Sequence, residues 1–269
     1  AICQMIQLSG FHIPLINKYK IRHHYSMKID LLAIGVHPDD VELSCCGTIL
    51  KHLSLGKTAG LLDLTRGELG SRGSAEIRDK EAADSAKIMG VSFRENLRMA
   101  DGFFEYSKEN LLKIVQVLRK YQPEIVLANS IDDRHPDHGR AAKLCADACF
   151  YSGLKRIETT DDNGNPQEHW RPKALYHYIQ DKRLEPDFVV EITDFMAKKL
   201  ECMQAFSSQF FAPKVKGYEE EPQTPISGEA FFEYIRASGR VFGRPLGVEY
   251  AEGFTASRTV GVNNLFDLL

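Results

Sequence analysis

The sequence predicts an α/β protein built on a Rossmann-like, mostly parallel sheet with helices on both faces. Three observations lead there. From Met27 onward, short apolar runs alternate with longer stretches of helical periodicity, as β-α-β units require. The first run, Ile29–Val36, is nearly all apolar, which suits a strand covered on both faces. The intervening stretches are long enough for helical crossovers, and right-handed crossovers give a doubly wound sheet.

The first strand ends at His37-Pro38. Val41–Leu55 fits a helix that Gly56 terminates, since glycine past the last turn adopts the left-handed conformation without steric cost. Thr58–Leu64 is a second strand, and a glycine-punctuated loop follows from Arg66 to Ser74. Glu76–Met89 is helical and stops at Gly90; Phe93–Met99 is a weaker strand. Lys108–Tyr121 carries apolar residues at helical spacing, Pro123 opens the next unit, and Ile125–Ala128 is a short strand. Two more strands are expected between Ala174 and Ile192, and helices at Thr193–Phe206 and Gly228–Val241 close the chain. Residues 158–171 and 212–226 are polar and rich in Pro, Gly and Glu, so they read as surface loops. Residues 27–269 are expected to form a single domain without internal repeats.

At 269 residues, with 43% hydrophobic and 26% charged residues, the chain can bury a substantial core. Lys+Arg 34 against Asp+Glu 37 leaves a formal charge of −3, which gives no electrostatic footprint for nucleic acid or an anionic membrane. No stretch approaches the roughly 18 consecutive apolar residues of a membrane span. The cysteines (Cys3, Cys45, Cys46, Cys145, Cys149, Cys202) are read as reduced, packed thiols of a cytoplasmic protein, because disulfide-rich chains are usually short and secreted. Residues 1–26 hold no acid, and their charge follows the apolar part, unlike a secretory signal. They read as an extension outside the fold, either transit-like or upstream of a natural start at Met27.

In open α/β sheets ligands collect at the carboxyl ends of strands. Two such ends carry unusual residues: His37-Pro38-Asp39-Asp40-Val41-Glu42 after the first strand, and Asp132-Asp133-Arg134-His135-Pro136-Asp137-His138-Gly139 after the fourth. An Asp-Asp pair before a helix is commonly only an N-cap. Three of nine histidines within two such loops favour a metal site instead. A catalytic zinc wants three His or carboxylate ligands and one open position. His37, Asp40 and one histidine of the second loop meet that need. Asp39 is then placed to take a proton from the bound water, and the remaining histidine to polarise the carbonyl or protonate the leaving amine. Cys45 and Cys46 lie close by in sequence, but the helix after Asp40 carries them away, so they are expected to pack. His52, His169 and His177 lack comparable partners and read as surface or core residues.

These motifs, with Cys46-Gly47-Thr48 and Thr65-Arg66-Gly67-Glu68, resemble the LmbE-like (PIG-L) family of zinc-dependent N-acetylglucosamine deacetylases. Within it the chain is most similar to the bacillithiol-biosynthesis branch, which acts on N-acetylglucosaminyl-malate. The resemblance runs from Met27 to Tyr250-Ala251-Glu252-Gly253-Phe254. It implies His37, Asp40 and His138 as ligands of one Zn2+ per chain, Asp39 as general base, and His135 as the group steadying the tetrahedral intermediate. Asp137 then orients His135 and holds it charged. Arg78 matches a sugar-contacting arginine, Arg134 a malate-reading one, and Glu68 a candidate at the pocket rim. The resemblance also implies trimers or hexamers and a small-molecule amino-sugar substrate. Two departures stand out: Leu43-Ser44-Cys45-Cys46 replaces the usual continuation of the first motif, and Phe231 or Phe232, with Tyr234 nearby, falls where some relatives place a tyrosine.

Two rival functions remain at this level. One is a deacetylase or amidase for a different amino-sugar conjugate. The other is a non-catalytic, Rossmann-like nucleotide-binding module, but no G-x-G-x-x-G follows the first strand, where a dinucleotide fingerprint belongs.

Overall fold

A computed structural model describes residues 27–212, 217–218 and 220–268. The readings for residues 1–26 and Cys3 fall outside them. Among the described residues the sheet has seven strands: β1 (Leu31–Gly35), β2 (Ala59–Thr65), β3 (Arg94–Met99), β4 (Ile125–Ala128), β5 (Ala174–Tyr178), β6 (Phe188–Glu191) and β7 (Ala251–Ala256). Their order is β3-β2-β1-β4-β5-β7-β6. Every pairing from β3 to β5 is parallel, whereas β7 runs antiparallel to both β5 and β6. The mostly parallel α/β architecture is as the sequence implies.

Strand alternation splits the core into two layers. Leu32 and Ile34 of β1 pack with α4 (Lys108–Tyr121) and α5 (Pro136–Ser152) on one face. Leu31 and Ala33 pack on the other, against α2 (Cys46–Ser54) and Cys202 of α6 (Met196–Gln204). Helix α3 (Ala75–Met89) begins at Ser74, whose hydroxyl accepts the N–H of Ile77, and ends at Gly90 with φ 85°. Cys45, Cys46, Cys145, Cys149 and Cys202 are free and buried, so packing is their observed role. No described helix is long and apolar enough to cross a membrane.

Two elements differ from expectation. The helix foreseen over Val41–Leu55 is broken at Cys45 into α1 (Asp40–Ser44) and α2. The break frees the N–H groups of Gly47 and Thr48, and the Glu252 carboxylate accepts both. Strand β7, which carries Glu252, is the second. It lies where no strand was foreseen, under α7 (Glu229–Gly243).

Candidate active site

The sheet order brings the carboxyl ends of β1 to β5 to one edge, and residues from these ends converge there. His37, Asp101, Gln180 and the loop before α5 line a cavity of about 320 Å³. Asp40, at the start of α1, lines it too. One Asp40 oxygen accepts the backbone N–H of His37 (2.9 Å) and Asn129 Nδ2 (2.9 Å), while the other accepts Gln180 Nε2 (3.1 Å). The same oxygens lie 3.7 Å from His37 Nδ1 and 3.2 Å from His138 Nε2.

The far nitrogen of each ring is already engaged. His37 Nε2 is 3.0 Å from Asp101 Oδ1 and 3.5 Å from Asp137 Oδ2, and His138 Nδ1 is 2.5 Å from Asp133 Oδ2. A carboxylate behind an imidazole fixes its tautomer and orientation, the arrangement found behind metal-ligating histidines. The structure therefore brings His37, Asp40 and His138 together.

Their electrostatics suit a cation. Burial opposes ionisation of Asp40, but the charges of His138 and His37 override it and hold Asp40 well below the usual carboxylate range. Burial likewise opposes charge on His138, yet Asp40 and Asp133 push its pKa up to about 9. His37 is raised too, because hydrogen bonds to Asp101 and Asp137 outweigh its burial. Protons gather on both rings beside a buried carboxylate, where one divalent ion would supply the same compensation. The donor set of two imidazoles and one carboxylate fits zinc. Ligand atoms of His37, His135 and His138 also lie within 4.8 Å of one another, which makes His135 the alternative third donor. Asp40 is the better candidate because its oxygens already face both other rings.

Asp39 adopts φ 146°, a conformation L residues rarely take, and such strain costs on the order of 1–3 kcal/mol. Burial pushes its carboxyl up to about 7, against the pull of Arg78, whose Nη2 is 3.7 Å away. Arg78 comes from α3 and is buried beneath the Arg66–Ser74 loop. A Cβ on Gly67 would lie 1.9 Å from Arg78 Nη1, so glycine there leaves room for the guanidinium. Arg78 Nη2 also donates to Gln209 Oε1.

His135 is the N-cap of α5, and its Nδ1 accepts the N–H of Asp137 at 3.2 Å. The neutral ring then carries its proton on Nε2. Burial, with the charges of His37 and His138, holds its pKa below the usual histidine value.

Other residues sit differently from the sequence reading. The Asp137 carboxylate faces His37, the N–H of Gly102 (2.9 Å) and Arg140 (3.1 Å) rather than the His135 ring it was assigned to orient. Glu68 is exposed; its oxygens accept the backbone N–H groups of Asp101 (2.9 Å) and Arg66 (3.2 Å), so it braces the loop outside the cavity lining. Arg134 does line the cavity mouth, but its Nε is 2.6 Å from Asp181 Oδ2.

The profile of the PIG-L family, described as GlcNAc-PI de-N-acetylase, matches residues 32–149, which include both histidine loops. The crystal structure of the conserved protein TT1542 from Thermus thermophilus is similar to this one with a TM-score of 0.75. It is 35% identical, and the match covers 87% of this chain and 98% of that one. The chain belongs to the LmbE-like (PIG-L) family. Diacetylchitobiose deacetylase of Thermococcus kodakarensis is 29% identical over 245 residues, 87% of this chain and 85% of its own. Probable N-acetyl-alpha-D-glucosaminyl L-malate deacetylase 2 of Bacillus anthracis is 27% identical over 211 residues, 73% of this chain and 88% of its own.

In this LmbE-like chain the supporting residues are what sequence reasoning missed. Asp101 lies two residues past β3, and Asn129 and Gln180 just past β4 and β5. Applied to every strand, the strand-end rule that singled out the first and fourth would have found Asp101 and Gln180; Asn129 stood at the end of the fourth strand itself and was passed over. Asp133 stood inside a quoted motif without a role, and nothing local marks it as the partner of His138. Tyr234 lines the mouth, where its hydroxyl donates to the carbonyl of Asp181 at 3.2 Å, while Phe232 is buried in the core.

Proposed function

We propose that this protein is a zinc-dependent N-deacylase that hydrolyses the amide of an N-acetylglucosamine conjugate. The observation that carries it is the convergence of His37 Nδ1 and His138 Nε2 on Asp40, with Asp39 beside them in the same cavity. Bound there, zinc supplies Lewis acidity and lowers the pKa of a coordinated water to about 7.

The chain's own groups do the rest. Asp39, whose carboxyl burial pushes upward, is placed to accept a proton from the attacking water and release it later. Arg78 keeps that carboxylate from becoming too basic and holds it in place. His135 donates from Nε2 to the developing oxyanion, and the departing amine takes the transferred proton. Asp101, Asp137 and Asp133 keep the His37 and His138 rings from turning. The products are a carboxylate and a free amine.

For the group attached to the sugar, Arg134 supports an acidic aglycone such as malate, as in the bacillithiol branch, because a guanidinium binds carboxylates bidentately. Its 2.6 Å pairing with Asp181 favours a second reading, a neutral glycosyl aglycone, since malate would have to displace that carboxylate. Acetate release from N-acetylglucosaminyl-malate, diacetylchitobiose and free N-acetylglucosamine, with and without a chelator, tests both levels. Chelator-sensitive acetate release supports the reaction, and the ranking picks the aglycone. No release from any of the three by zinc-loaded protein overturns the reaction.

A further inference from the structure

The cavity does not stop at the histidines. Arg134 and Tyr234 stand at its mouth, with 62% of the Arg134 side chain exposed. Its apolar walls include Leu43, Ile179, Ile192, Met196, Ile235 and Phe242. All but the half-buried Leu43 are at most 8% exposed, so these walls are sheltered from solvent. Ile235, Ser238 and Phe242 recur at helical spacing, so one face of α7 roofs the compartment. The buried Lys199–Glu252 pair also lies among the lining residues.

An acetyl methyl requires no apolar compartment of this extent. We propose that it receives the acyl chain, and that the enzyme prefers N-acyl groups with a short alkyl chain over N-acetyl. The proposal rests on the deacylation reading above and names the substrate's other half. Its direction follows from exposure: Arg134 and Tyr234 are polar lining residues open to solvent, whereas the apolar walls are buried. With the amide carbonyl at the donors, the glycosyl part faces Arg134 and the acyl carbons face Leu43 and Ile179. The reaction stays a hydrolysis. The C–N bond breaks, a C–O bond from water forms, both water protons end on the amine, which leaves as its ammonium, and the fatty acid leaves as its carboxylate.

The test is kcat/KM of zinc-loaded enzyme for N-acetyl-, N-butanoyl-, N-hexanoyl- and N-octanoyl-glucosamine. Each buried methylene is expected to raise it roughly fourfold until the compartment is full, so butanoyl exceeds acetyl by at least about tenfold. Ser238→Phe, which fills the compartment from its roof, should lower the hexanoyl-to-acetyl ratio by about tenfold or more; Ala251→Val takes its place if that variant does not fold. Ligand-detected NMR on chelator-treated protein should rank binding of the same series in the same order without turnover. Cleavage of acetyl alone, or a fall with every added methylene, overturns the proposal while leaving deacylation standing. So does a hexanoyl-to-acetyl ratio unchanged in the filled variant. A rate that rises with the alkyl chain of N-acetylglucosamine alkyl glycosides instead shows the chain entering as aglycone and also overturns it. If no amide in the series is cleaved, deacylation itself fails.

Discussion

Lys199 and Glu252 meet inside the protein with Nζ 2.6 Å from Oε1 and only 4% of either side chain exposed. Glu252 also accepts the N–H groups of Gly47 (3.0 Å) and Thr48 (2.7 Å) and the Thr48 hydroxyl (2.7 Å). The two partners are therefore unequal. Glu252→Gln keeps the shape but leaves a buried ammonium without its counter-charge, and breaking such a pair costs about 3–5 kcal/mol. Lys199→Met leaves Glu252 with three hydrogen bonds at the positive end of α2, so its cost should be smaller, about 1–3 kcal/mol. The double variant removes both charges and should cost less than Glu252→Gln alone. For a chain this size each kcal/mol moves Tm by about 2–4 °C, so Glu252→Gln should melt roughly 6–20 °C lower. Urea unfolding followed by circular dichroism measures all three variants. Because Glu252 holds the start of α2 just after Asp40 and α1, Glu252→Gln should also weaken zinc binding. Strictly additive costs, or a Glu252→Gln cost below about 1 kcal/mol, would refute the claim that this pair anchors the α1–α2 break.

Three further outcomes are expected. Asp39→Asn should lower kcat by roughly 10²–10⁴-fold at unchanged zinc content; near-normal turnover would remove Asp39 as the base. Gly67→Ala must displace the Arg78 guanidinium and takes up a left-handed conformation (φ +66°), so it should cost about 1–2 kcal/mol. Its kcat should also fall more than its zinc content, and wild-type kinetics would show that Arg78 is not needed where it sits. Asp181→Asn releases Arg134 from its ion pair and should shift preference toward acidic aglycones, measured as a ratio of kcat/KM values. An unchanged ratio would mean that Arg134 does not read the aglycone.

Local chemistry decided how much of this was legible in the sequence. Lys108–Tyr121 and Ile125–Ala128 fall where their patterns put them, because Ser107 caps the helix and the strand is a compact apolar run. Both histidine loops announced themselves by residue type and by their place at strand ends. Strand β7 did not, because Ala-Glu-Gly-Phe offers neither an apolar run nor strict alternation. It becomes a strand by pairing with β5 and β6, both distant in sequence, and by placing Glu252 against Lys199. The same glutamate explains the broken helix at Cys45, a contact across some two hundred positions that no window of the sequence contains. Around the metal candidates, the residues that converge were legible and their supports were not. The hydrogen bonds from Asn129 and Gln180 to Asp40 depend on which strands become neighbours.

The most direct measurement is a crystal structure of the zinc-soaked protein with anomalous diffraction at the zinc edge. It should show one ion per chain, about 2.0–2.2 Å from His37 Nδ1, an Asp40 oxygen and His138 Nε2, with Asp39 and His135 left unligated. Zinc bound elsewhere, or coordinated by His135 while Asp40 stands apart, would contradict the account.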